Sequence, residues 1–149
     1  MKKVPLLTLC IFGLLLLAPK AALACGCPTV TSLEQHTRWS LAAAKVVFTG
    51  TVTSMTGDSA NRMTTTLKVH RSWKMALPEE VVLTGGGSSC DYHFERGGEY
   101  LIFAGEEDGR LHTGACSRNV KLDKAAMQLK ILGKGLKPKR KSVKNNGRR

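Results

Sequence analysis

The chain has 149 residues, enough for one ordinary domain and too few for two. Its 23 Lys and Arg against 11 Asp and Glu give a formal charge of +12, a balance that invites nucleic acid, yet only 5% of residues are aromatic and few rings exist to stack on bases. Hydrophobic residues at 42%, with 15 glycines, exclude a wholly disordered chain and a collagen.

In chain order, Lys2 and Lys3 precede the apolar stretch Val4 to Ala18, and Ala22-Leu23-Ala24 supplies the small residues a signal peptidase reads. The pattern predicts export, with residues 1–24 removed and Cys25 as the new amino terminus. The apolar stretch falls short of the roughly 20 residues a membrane span needs. Lipidation of Cys25 is the rival reading, although Ala22 stands where Leu usually precedes a lipoprotein cysteine.

Export removes Cys10 and leaves Cys25, Cys27, Cys90 and Cys116. In an oxidising compartment this even set reads as two disulfides. Cys25 and Cys27 are too close to pair with each other without strain, so either Cys25–Cys90 with Cys27–Cys116 or the crossed alternative remains. A four-thiolate zinc site is the rival, but its usual spacing of two to four residues between paired cysteines is missing.

Thr31 with Glu34, or Ser32 with Gln35, forms a capping box that predicts a helix to about Ala43. Lys45 to Val52 is β-branched and aromatic, as a strand should be. Gly57 to Asn61 reads as a turn, and Met63 to Trp73 as a long strand with Leu67, Val69, Arg71 and Trp73 on one face. Glu80 to Thr84 is a third strand. Gly85 to Ser89 is a flexible connector, because no Lys-Ser/Thr pair follows to make it a phosphate cradle. Glu99 to Ala104 and Arg110 to Cys116 are two further strands around a turn at Gly105 to Gly109. From Lys121, the positions Leu122, Ala126, Leu129 and Leu132 recur at helical spacing, and Gly133 ends that helix. Five strands with helices at both ends and no βαβ alternation predict a mainly β domain, a five-stranded OB-fold-like barrel with flanking α-helices.

The ordered set of motifs resembles the netrin-like domains, and within them the amino-terminal domain of the tissue inhibitors of metalloproteinases, bacterial relatives included. The resemblance rests on Cys25-Gly26-Cys27, Val46 to Val52, Val69 with Trp73-Lys74, Cys90 to Phe94, Gly98 to Ala104 and Cys116-Ser117-Arg118. It spans Cys25 to Gly133 and implies the pairing Cys25–Cys90 with Cys27–Cys116. It also implies an inhibitor whose Cys25 α-amine and carbonyl chelate a protease's zinc, with Gly26 facing the specificity pocket. The zinc is the protease's, so the resemblance implies no intrinsic metal or cofactor.

From Lys134 the chain carries eight positive residues, no acid and no aromatic, which reads as a disordered basic tail over 134–149. Lys137, Lys139, Arg140, Lys141, Lys144, Arg148 and Arg149 are its candidate contacts with an anionic envelope or matrix surface. The signal carries +3 and this run +8, leaving +1 over residues 25–133, so specific nucleic-acid binding is not expected. His36, His70, His93 and His112 are scattered without a nucleophile motif, which argues against an enzyme. The expected product is a secreted or periplasmic monomer, either a metalloprotease inhibitor or a non-inhibitory adaptor held by its basic tail.

Overall fold

Among the described residues six strands and two α-helices build the domain, and the pairings that close it come from five of those strands. The computed structural model describes residues 25–27, 29, 32–57, 63–85 and 89–140. Residues 1–24, 28, 30–31, 58–62, 86–88 and 141–149 lie outside them, and with them the expected signal segment, the Thr31 capping box, most of the expected turn after Gly57, and Lys141, Lys144, Arg148 and Arg149.

Helix α1 spans Leu33–Ala43, and Ser32 is its N-cap, accepting the Gln35 N–H at 3.1 Å through its hydroxyl. The helix has no basic residue in its last turn. Lys74 supplies that charge from the end of a strand, donating to the carbonyls of Leu41, Ala42 and Ala44 where the helix dipole is negative. Lys74 sits at φ 73° to do so.

The strands are β1 (Val46–Gly57), β2 (Met63–Trp73), β3 (Glu80–Gly85), β4 (Glu99–Glu107), β5 (Arg110–His112) and β6 (Val120–Lys121). β1 pairs antiparallel with both β2 and β4, β2 with β3, and β4 with β5. A parallel pairing of β3 with β5 closes the ring into a five-stranded barrel, and β6 adds to β4 outside it. Closure leaves the barrel strands no free edge along their paired lengths.

Several expected boundaries shift, beginning with β1, which runs past Val52 to Gly57. β4 runs on to Glu107, and the turn shrinks to Asp108 and Gly109, at φ 50° and 71°. An Asp-Gly pair with both φ positive is the turn that matches strand twist, so the strands extend up to it. The expected strand Arg110 to Cys116 ends at His112, and Ala115–Ser117 is a 3-10 turn instead. The last helix also starts late. Leu122–Lys124 is a 3-10 turn, α2 spans Ala126–Leu132, and Gly133 at φ 69° ends it, donating its N–H to the Leu129 carbonyl.

Two apolar cores result. Val46, Phe48, Val52, Leu67, Val69 and Ile102 pack with their neighbours inside the barrel. Val47, Trp73, Leu101, Phe103 and Ala125 pack outside it, against Leu41 of α1 and Leu129 and Leu132 of α2. β1 is therefore buried on both faces through Val46 to Gly50.

The expected single face for Leu67, Val69, Arg71 and Trp73 is corrected by a β-bulge. Thr49 pairs with Arg71 but Gly50 with Val69, so His70 is an extra residue, and the alternation beyond it changes side. Leu67 and Val69 face the barrel interior, whereas Trp73 joins the outer core. Gly50 permits the close approach, since a Cβ there would lie 2.7 Å from the Lys68 carbonyl oxygen.

The chain does not leave the domain at Gly133. Leu136 and Ser72 exchange two backbone hydrogen bonds, Lys139 donates to the Leu77 carbonyl at 2.7 Å, and Trp73 Nε1 donates to the Gly133 carbonyl. The first seven residues of the basic run, expected from their composition to be disordered, are thus laid along β2 and the β2–β3 connection. Local composition carries no signal for this, because Ser72 and Leu77 offer backbone groups rather than charges.

Candidate functional site

Cys25, Gly26 and Cys27 have neither helical nor strand structure of their own, and two disulfides hold them. Cys25 bonds Cys90 with Cα atoms 5.6 Å apart, and Cys27 bonds Cys116 at 5.2 Å. All four thiols are consumed, which removes the four-thiolate zinc reading. Among the described residues no group of three or more His, Cys, Asp and Glu is placed to hold a metal ion.

The two anchoring segments are joined to each other as well as to the amino terminus. Asp91 and Gly114 form an isolated antiparallel bridge, and the Ala115 N–H donates to the Cys90 carbonyl at 2.8 Å. A Cβ on Gly114 would lie 2.9 Å from that same carbonyl oxygen, so the approach depends on glycine. The Ser117 hydroxyl accepts the Gly114 N–H at 3.3 Å and closes the 3-10 turn that carries Cys116.

A buried polar network fixes this turn to the barrel. The Asn119 side-chain carbonyl accepts the Phe103 N–H at 2.9 Å, and its amide donates to the Thr113 hydroxyl at 2.8 Å. Thr113 Oγ1 donates in turn to the Phe103 carbonyl at 2.8 Å. Side chains thereby replace a strand partner for Phe103, which lets the chain leave β-pairing after His112 with no orphaned group on that residue. On the other side, Arg118 at φ 60° donates its Nε to His36 Nδ1 at 2.5 Å. Burial, and secondly the Arg118 charge, hold the His36 imidazole below its ordinary pKa of 6.5, in the neutral form this bond requires.

The ridge that results has a half-buried Cys25 followed by exposed Gly26 and Cys27. A Cβ on Gly26 would meet nothing within 4 Å, so any side chain there would project into open space. Directly beyond Cys90 opens a cavity of about 370 Å³. Met55, Met63, Leu83 and Phe94 give it apolar walls, and Asp91 and His93 give it a polar rim. Tyr92, Phe94 and Tyr100 form an edge-to-face triangle, with ring centres 4.9 to 5.9 Å apart, that plugs the barrel beneath it. Burial raises the Tyr92 phenol above its ordinary pKa, so it is neutral.

Lys137, Lys139 and Arg140 are exposed on the docked segment, attached at Ser72 and Leu77 rather than at the ridge. The four histidines remain dispersed. His36 is on the buried face of α1, His70 lies on the bulge, His93 rims the cavity, and His112 packs its ring over Gly105. A juxtaposition hidden from the sequence is Thr51, His70 and Glu99, brought together from β1, β2 and β4. Thr51 Oγ1 lies 2.7 Å from His70 Nε2 and donates to Glu99 Oε1 at 3.3 Å. Both neighbours meet the same side of the imidazole, so Glu99 does not orient the ring through Nδ1 as a relay acid would. The signal that locates it is Gly50 inside an otherwise β-branched strand, the usual mark of a bulge.

The chain matches no family model and no curated protein sequence.

Proposed function

We propose that this protein is an exported inhibitor of zinc metalloendopeptidases, of the kind its resemblance to the netrin-like inhibitors implies, acting through Cys25 once residues 1–24 are removed. The observation that supports it is the ridge, a segment of half-buried Cys25 and exposed Gly26 and Cys27 pinned at both ends by disulfides to two loops that are hydrogen-bonded to each other. A free Cys25 amine and the carbonyl of the same residue make a five-membered chelate with the protease's metal, displacing the water that would attack a substrate. Because the ridge is held before binding, little conformational entropy is lost on docking. Gly26 offers no side chain to a specificity pocket, which limits affinity and selectivity alike.

The amine must be neutral to ligate, so inhibition weakens as the medium is acidified. The decisive experiment compares the chain beginning at Cys25 with one retaining Ala24, against a panel of zinc metalloendopeptidases. The first inhibits and the second does not. Equal inhibition by both would refute chelation. Gly26→Thr, which the open space accommodates, tightens inhibition of enzymes with an apolar pocket.

A second reading draws on the docked basic segment. Lys137, Lys139 and Arg140 are displayed on a fixed piece of backbone, which supports an adaptor that holds the domain on an anionic envelope or matrix surface. Removing residues 134–149 abolishes surface retention at low salt under this reading and leaves inhibition untouched.

A further inference from the structure

The outer core stops short of covering the whole barrel face, and a cleft of about 440 Å³ opens where α2 ends. Its floor is apolar, formed by Leu122, Leu129 and Trp73. The indole N–H of Trp73 is already given to the Gly133 carbonyl, so the ring offers only its carbon surface. Thr49, His70, Arg71 and Glu99 supply the polar side. A few converging polar groups over an apolar floor, in this size range, are the usual composition of a small-molecule site.

The bulge at His70 is what creates the polar side, since it turns Arg71 away from the barrel interior that Leu67 and Val69 occupy. The charges there are not equally committed. Glu99 is engaged by the Thr51 hydroxyl at 3.3 Å, with His70 Nε2 3.7 Å away. The Arg71 guanidinium makes no hydrogen bond or ion pair among the described residues, and it is exposed. Lys130 and Lys134, next in the chain to the lining residues Leu129 and Gly133, are exposed too, and against them stands one further exposed acid, Asp123 beside Leu122, so that with Arg71 the cations outnumber the acids even when Glu99 is counted. The charge left to satisfy is therefore positive.

We propose that this cleft binds a small amphiphilic anion, with its head group on Arg71 and its apolar body laid over Leu122, Leu129 and Trp73. A guanidinium grips a carboxylate through two parallel N–H bonds, and the floor excludes water from the body of the ligand. A free anion without an apolar part gains only the first contribution, and a neutral amphiphile only the second. The site stands apart from the amino-terminal ridge and is independent of the inhibitor reading.

The test is a titration of the full chain with octanoate, followed through the Trp73 indole N–H resonance. Octanoate gives a saturable shift, while acetate and octanol each bind at least about tenfold more weakly. Arg71→Gln lowers octanoate affinity about tenfold or more, and Glu99→Gln leaves it equal or tighter. Three results would each overturn the proposal. They are no saturable shift with octanoate, octanol binding as tightly as octanoate, or octanoate affinity unchanged in Arg71→Gln.

Discussion

Removing the bridge at Cys27 and Cys116 by a double Cys27→Ser and Cys116→Ser change tests how the ridge is held. Taken alone, a bridge across a separation of 89 residues would restrict the unfolded chain by roughly 4.6 kcal/mol at 25 °C. The other bridge is already present, however, and shortens the path. With Cys25 joined to Cys90, the loop closed by the second bridge runs only from Cys25 to Cys27 and from Cys90 to Cys116, about 28 residues. Its loop-closure contribution is then about 3.6 kcal/mol. For a domain of this length that corresponds to a fall in Tm of about 15 °C. Guanidinium unfolding of the oxidised variant measures the energy, and a backbone order parameter at Gly26 measures the ridge, which falls from about 0.85 to below about 0.6. The same short path serves the Cys25–Cys90 bridge, so its removal costs an equal amount, and removal of both costs about 8 kcal/mol, more than twice either. A double variant within about 1 kcal/mol of the parent, or a Gly26 as rigid as before, would refute the reasoning.

Two further predictions concern the supports beneath the ridge. His36 is held neutral by burial and by Arg118, so its folded pKa lies below the unfolded value of 6.5. The stability this gives is present above that value and is lost as pH falls through the folded pKa. Denaturation midpoints between pH 7.5 and 5 should therefore drop in the parent and drop less in His36→Gln; parallel curves would contradict the assignment. Asn119→Ala leaves the buried Phe103 N–H without a partner and breaks the bond to Thr113, at a cost of roughly 2–3 kcal/mol in urea unfolding. A loss under about 0.5 kcal/mol would mean that water replaces the amide.

Much of the architecture was legible because its signals are local. Ser32 caps α1, Met63 to Trp73 is one unbroken strand, Gly133 stops α2, and all four core-domain cysteines sit at positions that leave two pairings. Of the candidate site, the ridge residues Cys25 and Gly26 could be named from sequence. The cleft beside α2 could not, because Arg71 reads by alternation as a core-facing position. Trp39, the one large aromatic ring of α1, is 43% exposed. α1 buries His36, Thr37 and Ser40 instead, a polar face that periodicity of apolar residues does not reveal.

The sequence by itself determined the two α-helices and the five barrel strands to within their ends, that the barrel would be mainly β, and that the charge of +12 resides largely outside residues 25–133, though not β6 or the two 3-10 turns. Those properties depend on residues within a few positions of one another. Tertiary structure alone decided the parallel closure of β3 on β5, the bulge at His70 and the docking of Leu136 and Lys139, and between the two disulfide pairings that spacing left open it took Cys25–Cys90 with Cys27–Cys116, the one the resemblance implied. Each of these is a contact between backbone or sulfur atoms far apart in the chain, and its energy depends on where the closed barrel places them. One extra residue opposite Gly50 is enough to turn Arg71 from the interior to the surface, because side chains alternate with a period of two and a single insertion reverses every face beyond it.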